Sequence, residues 1–216
     1  VDWAGNALNG NANDYQNLLN YINTNSLTEN SNYNFVSAQI DVNEYIDYLI
    51  FQIFIGNHDW PGNNTKIWRR NNPKGKWRWI IYDTDFGFGL YSSVEHETVR
   101  MVFDLSTQQG WPNPELATRL PRKLIENQEF KRLFLNRFYT HLSSTFKSSV
   151  VINIIDSIAA IYQKEMVYHC SKWNRDYNSW LSNVENLRDA ARHRPDIVKQ
   201  QLKDWFGYSQ EVNVSF

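Results

Sequence analysis

Between Asp41 and Gly56 the chain carries Val42, Tyr45, Ile46, Leu49, Ile50, Ile53 and Phe54 at three- and four-residue spacing. Towards its end the apolar residues crowd almost the whole circumference. A helix of this kind has no face to offer water, so it must lie at the centre of a core. Asp41 is placed to cap its first turn, and Glu44 three residues on completes a capping-box-like start. Gly56 marks the stop. Any fold available to the chain is built around this helix, and the segment after Gly56 hangs from a rigid support.

That segment is Asn57-His58-Asp59-Trp60-Pro61-Gly62-Asn63-Asn64, with a turn forced at Pro61-Gly62. A carboxylate at Asp59 and a carboxamide at Asn64 suit two tasks. The first can orient or deprotonate a hydroxyl, and the second can ligate a hard cation. The plainer alternative is a loop whose Asp and Asn bond their own backbone. Thr65–Arg70 and Lys76–Tyr82 read as the strands of a hairpin, joined by Asn71-Asn72-Pro73-Lys74-Gly75. Trp77, Trp79 and Ile81 alternate with Lys76, Arg78 and Ile80, so the two sets point to opposite faces. The hairpin returns the chain towards the loop it left and delivers Asp83-Thr84-Asp85-Phe86-Gly87-Phe88-Gly89. Two carboxylates at i and i+2 need a cation, a basic group or water to satisfy them. Mg²⁺ carrying phosphate oxygens would do so, and a solvated Asp-rich turn is the alternative.

The order of helix, Asp-x4-Asn, hairpin and Asp-x-Asp-Phe-Gly resembles the spore-coat-protein-H-like (CotH) kinase family, and more widely the protein-kinase-like fold. The resemblance implies that Asp59 is the catalytic-loop aspartate and that Asn64 is a catalytic and metal-binding asparagine. It implies that Asn63, Asn64 and Asp83 contact the cofactor, and that Asn64, Asp83 and Asp85 hold the metal. ATP and Mg²⁺ or Mn²⁺ are the implied cofactors, and a Ser or Thr of a protein is the implied acceptor. The arginine of His-Arg-Asp is absent, Asn57-His58-Asp59 standing in its place. About forty residues precede the central helix, with no Gly-rich loop and no strand carrying a nucleotide-binding lysine. The chain is therefore expected to be a mainly α C-terminal lobe with a small β-hairpin. Residues 1–40 would be a linker and first helix after an absent N-lobe, 41–206 the lobe itself, and 207–216 an exit tail. Such a fragment alone is expected to be inactive.

The 216 residues are 42% apolar with a net charge of −1, enough for a sizeable core and no electrostatic case for nucleic acid. No apolar run is long enough for a membrane span. Cys170 is the lone cysteine, which excludes an internal disulfide or a cysteine-rich zinc site. Abundant Asn and Trp favour an extracytoplasmic protein, secreted or on a cell or spore surface. Asn63 and Asn213 fit the glycosylation pattern, and a glycan on Asn63 would crowd the site.

Elsewhere, Asp14–Asn25 reads as a helix packed on the Asp41 helix, and Ser26–Asn34 as a linker. Leu90–Pro114 reads as a long irregular loop, with His96 solvated between Glu95 and Glu97. Helices are expected after Pro114 with a break at Pro121, over Gln128–Phe146, Val150–Met166 and Lys172–Arg194, and from Pro195 to Trp205. Their apolar stripes read as core, and Arg192-His193-Arg194 as cations favoured at a helix end. Gln210–Phe216 alternates like a strand or tail. Two other function classes fit the same residues. One is a metal-dependent glycosyl transferase or hydrolase with Trp60 and Trp111 stacking on sugars. The other is a non-catalytic binding or adhesion module.

Overall fold

The computed structural model describes residues 1–107 and 110–207. Their order is α1 (Asn13–Thr24), α2 (Asn30–Ser37), α3 (Val42–Ile55), β1 (Lys66–Trp68), β2 (Arg78–Ile80), α4 (Thr98–Phe103), a 3₁₀ turn at Leu105–Thr107, α5 (Glu115–Leu124), α6 (Gln128–Ser143), α7 (Ser148–Lys172) and α8 (Tyr177–Phe206). The architecture is mainly α with one small antiparallel hairpin, in which Ile67 pairs with Trp79. The expected strand or tail at 210–216 and the Asn213 sequon lie outside the described residues.

α3 is the centre. Its residues from Tyr45 to Ile55 are buried on nearly every side, against α4, α6, α8 and β2. Asp41 caps it as the sequence implies, accepting the Glu44 N–H. The reciprocal half of the capping box is not made. The Glu44 carboxylate instead accepts the Trp79 N–H at 3.0 and 3.2 Å, and the Asp41 N–H donates to the Trp77 carbonyl at 2.9 Å. The start of α3 is thereby fastened to the hairpin rather than to itself. Trp77 and Trp79 are buried, but Ile81 has left the ladder and is exposed with Ile80, so both strands are shorter than their composition implies.

The end of α3 is more unusual. Gly56 closes it at φ 64°, a left-handed conformation that costs an L-residue with a side chain about 1–2 kcal/mol. A Cβ there would also lie 3.3 Å from the Arg194 guanidinium carbon. Arg194 is completely buried and spends all five of its N–H donors at this point. Nε donates to the Phe54 carbonyl at 2.7 Å, and Nη2 to the Ile53 carbonyl at 2.6 Å and to Thr98 Oγ1 at 3.1 Å. Nη1 donates to the carbonyls of Val94 and His96 at 2.7 and 3.3 Å.

Several elements differ from what the sequence implies. The linker contains α2, whose Tyr33 and Val36 join the core. α1 buries Tyr15, Leu18, Leu19 and Ile22 as expected and packs against α5. The long loop contains α4, with Val99, Met101, Val102 and Phe103 buried. Pro121 and Pro195 break nothing. α5 runs through the first and α8 through the second, because apolar residues on both sides of each proline are buried and tertiary packing outweighs the lost hydrogen bond. The real break falls at Trp173–Asp176, where the Asp176 carboxylate accepts the N–H groups of Asn178 and Ser179. Arg194 accordingly lies inside α8 and serves the end of another helix. Nor is α7 a core helix: of its residues only Cys170 is fully buried. Together α7 and the first half of α8 form an antiparallel helical hairpin carrying much apolar surface.

Arg194→Met leaves the buried carbonyls of Ile53 and Phe54 without these donors. It should lower unfolding stability by about 3 kcal/mol or more in urea titrations. Burial raises the Glu44 carboxyl to about 7, with the Trp79 N–H opposing that shift. A carboxyl whose folded pKa exceeds its unfolded value contributes stability at low pH that is lost as pH rises from about 4.5 through about 7. Glu44→Gln keeps an acceptor for Trp79, so it should gain thermal stability relative to wild type across that window. His96 titrates with the opposite sign below pH 6.5, so the difference between the two proteins carries the measurement.

Candidate functional site

The loop after α3 is built outward from the helix. Asn57 is buried and donates to Gln52 Oε1 at 2.9 Å, which fixes its amide. Its Oδ1 then accepts the Asp59 N–H at 3.1 Å. Trp60 packs inside, its indole donating to the Tyr48 hydroxyl at 2.8 Å. The Gly62 N–H donates to the Pro112 carbonyl at 2.8 Å. A Cβ on Gly62 would collide with the Pro114 ring, so the absence of a side chain is what lets segment 110–114 approach the loop.

Asp59 is almost fully buried, and three side-chain nitrogens hold its carboxylate through four contacts. Asn63 Nδ2 donates to both oxygens at 3.1 and 2.9 Å, Asn64 Nδ2 to Oδ2 at 2.9 Å, and Trp111 Nε1 to Oδ1 at 2.8 Å. Asp59 and Asn64 are thus brought together as their spacing implies. With Nδ2 committed to Asp59, the Oδ1 of each asparagine has no hydrogen bond among the described residues. A glycan on Asn63 would take the nitrogen that binds Asp59. Nothing in the sequence connects Trp111 to Asp59. It is 58% exposed, and its only local signal is its place between Gly110 and Pro112 in a long connection. The fully buried Trp60 offers no face to a sugar.

The acidic segment is tied to the same helix end. The Phe88 N–H donates to the Ile55 carbonyl at 2.6 Å, and the His58 N–H to the Phe86 carbonyl at 3.2 Å. Asp83 and Asp85 are exposed, and neither has a hydrogen bond or ion pair among the described residues. Asp83 and Asn64 both sit at φ 50°, a region that Asp and Asn enter more readily than most residues. Tyr82 stands between the two halves. Burial raises its hydroxyl pKa, and the nearby charges of Asp83 and Asp59 raise it further. Lys66 Nζ lies 4.2 Å over its ring.

No group of three or more His, Cys, Asp or Glu suited to holding a metal occurs among the described residues. The donors that are present, the carboxylates of Asp83 and Asp85 and the amide oxygen of Asn64, are hard oxygen ligands. They fit Mg²⁺, which binds through one or two carboxylates plus substrate phosphates rather than in an all-protein cage. Behind Asp59, His96 is turned inward rather than solvated like Glu95 and Glu97. Its ring meets His58 at 5.2 Å, and burial followed by the charges of His58 and Arg194 lowers it to about 4. It is therefore a neutral packing group at physiological pH.

The family model for CotH kinase protein matches residues 3–198. No curated protein and no solved structure matches the chain. The matched span takes in α3, the loop of Asp59, the hairpin, the acidic segment and α8 through Arg194. The chain belongs to the CotH kinase family.

Proposed function

We propose that the protein transfers the γ-phosphoryl group of ATP to a Ser or Thr hydroxyl of a protein substrate. The observation that carries this reading is the Asp59 carboxylate. Three side-chain nitrogens fix it at the end of a buried helix, beside an asparagine whose remaining side-chain polar atom is an oxygen. Phosphoryl transfer needs little covalent help from a protein and depends on positioning and charge compensation. Asp59 is suited to hold the acceptor hydroxyl in line and to receive its proton. To do so it exchanges one of its present donors, and Trp111, on the exposed side, is the one that acceptor entry would displace.

Asn64 Oδ1 and Asp83, with Asp85 beside it in the chain, are the residues that would hold Mg²⁺ or Mn²⁺, and Asn63 would contact the nucleotide. When bound, the metal neutralises charge on the phosphate oxygens. Trp60, buried as it is, cannot serve the sugar-processing alternative.

Incubation of the full-length protein with γ-labelled ATP and Mg²⁺ or Mn²⁺ should put label on protein. Asp59→Ala and Asp83→Ala should each lower that transfer about 100-fold or more. Asp83 is exposed, so its variant should keep the wild-type circular dichroism spectrum and serve as the folded control. Absence of both label and ATP binding in a folded protein would reject phosphoryl transfer and favour a binding module.

A further inference from the structure

α7 is apolar along two seams. Ile152, Ile155, Ala159, Met166 and Cys170 are the less exposed set and face α8. The second seam runs through Val150, Ile154, Ile158, Ile161 and Tyr168. Ile154, Ile158 and Ile161 are 52, 50 and 73% exposed, and nothing among the described residues covers them. Helices with apolar residues on more than one side ordinarily have a neighbour for each.

Charge placement identifies the neighbour. Lys147, the N-cap residue of α7, and Glu165 lie eighteen residues apart, about five turns, so Lys147 sits at the start of the exposed seam and Glu165 on its meridian between Ile161 and Tyr168. Both are exposed, and neither makes an ion pair among the described residues. Asp156, midway between them in sequence, is about two and a half turns from each and so lies on the opposite face, paired with Arg188 at 2.7 Å, which leaves the middle of the seam uncharged. A stripe with a cation at one end, an anion at the other and only apolar groups between is complementary to itself when reversed. A two-fold interface demands this property, since residue i meets j and j meets i.

We propose that a second copy of this chain packs antiparallel across α7, with Lys147 of each copy against the partner's Glu165. This alignment sets Ile154 against the partner's Ile158 along a contact about 27 Å long. The proposal is independent of the phosphoryl-transfer reading, because the seam shares no residue with the loop of Asp59.

Sedimentation equilibrium of the full chain, over a concentration series up to about 100 μM, should show twice the chain mass. Lys147→Glu and Glu165→Lys each oppose like charges at both ends, so each should weaken association about tenfold or more. The double variant restores opposite charges and should recover it. Ile158→Asp should abolish the dimer with an unchanged circular dichroism spectrum, since the side chain is already half exposed. A monomer throughout the series would overturn the proposal. So would a dimer indifferent to Ile158→Asp, or a double variant no tighter than the single ones.

Discussion

One buried guanidinium holds the site's foundation in place. An α-helix leaves its last carbonyls without partners and concentrates partial negative charge there. In α3 that end lies inside the protein, where water cannot satisfy it. Arg194 supplies the missing donors and the opposite charge together. Burial pushes Arg194 down to about 10, so it is still a cation at neutral pH. Among the described residues its compensation comes from oriented carbonyls and not from a contacting carboxylate. The same ion reaches Val94, His96 and Thr98, so the helix end, the start of α4 and the middle of α8 form one unit. Asn57 and Asp59 begin within three residues of that unit and inherit its rigidity.

The two halves of the site differ in how they are stabilised. Around Asp59 the protein provides every donor from its own side chains, and the geometry is closed. Around Asp83 and Asp85 it provides the backbone anchor, through Phe86 and Phe88, and leaves the carboxylates to solvent. A rigid anion beside a pair of solvated ones suits a reaction in which one partner is positioned by the protein and another arrives with its own counter-charge. Tyr82, with Lys66 above it and both acidic groups near it, is the seam between these halves.

Features governed by near neighbours in the chain were legible from residue types alone. α3, its Asp41 cap and the left-handed Gly56 follow from periodicity and capping chemistry. The Asp59–Asn64 pair follows from five-residue spacing within one loop. The contacts that complete the site were not legible, because Trp111 is 52 residues from Asp59 and Arg194 is 140 from Phe54. Pro121 and Pro195 misled because proline's local cost was weighed without the burial on either side of it. α7 misled in the opposite direction. Periodicity shows which residues of a helix are apolar, but it does not say whether the same chain covers them.

The dependence of α3 on Arg194 also orders events during synthesis. The central helix and the loop of Asp59 leave the ribosome while α8 is still untranslated. Until residue 194 emerges, the end of α3 must stay hydrated or borrow other donors. The loop therefore reaches its final geometry only when nearly the whole family-matched span has been made. Nascent fragments ending before α8 would carry every residue of the candidate site without the donor set that holds the end of α3, which postpones its assembly until α8 has been made.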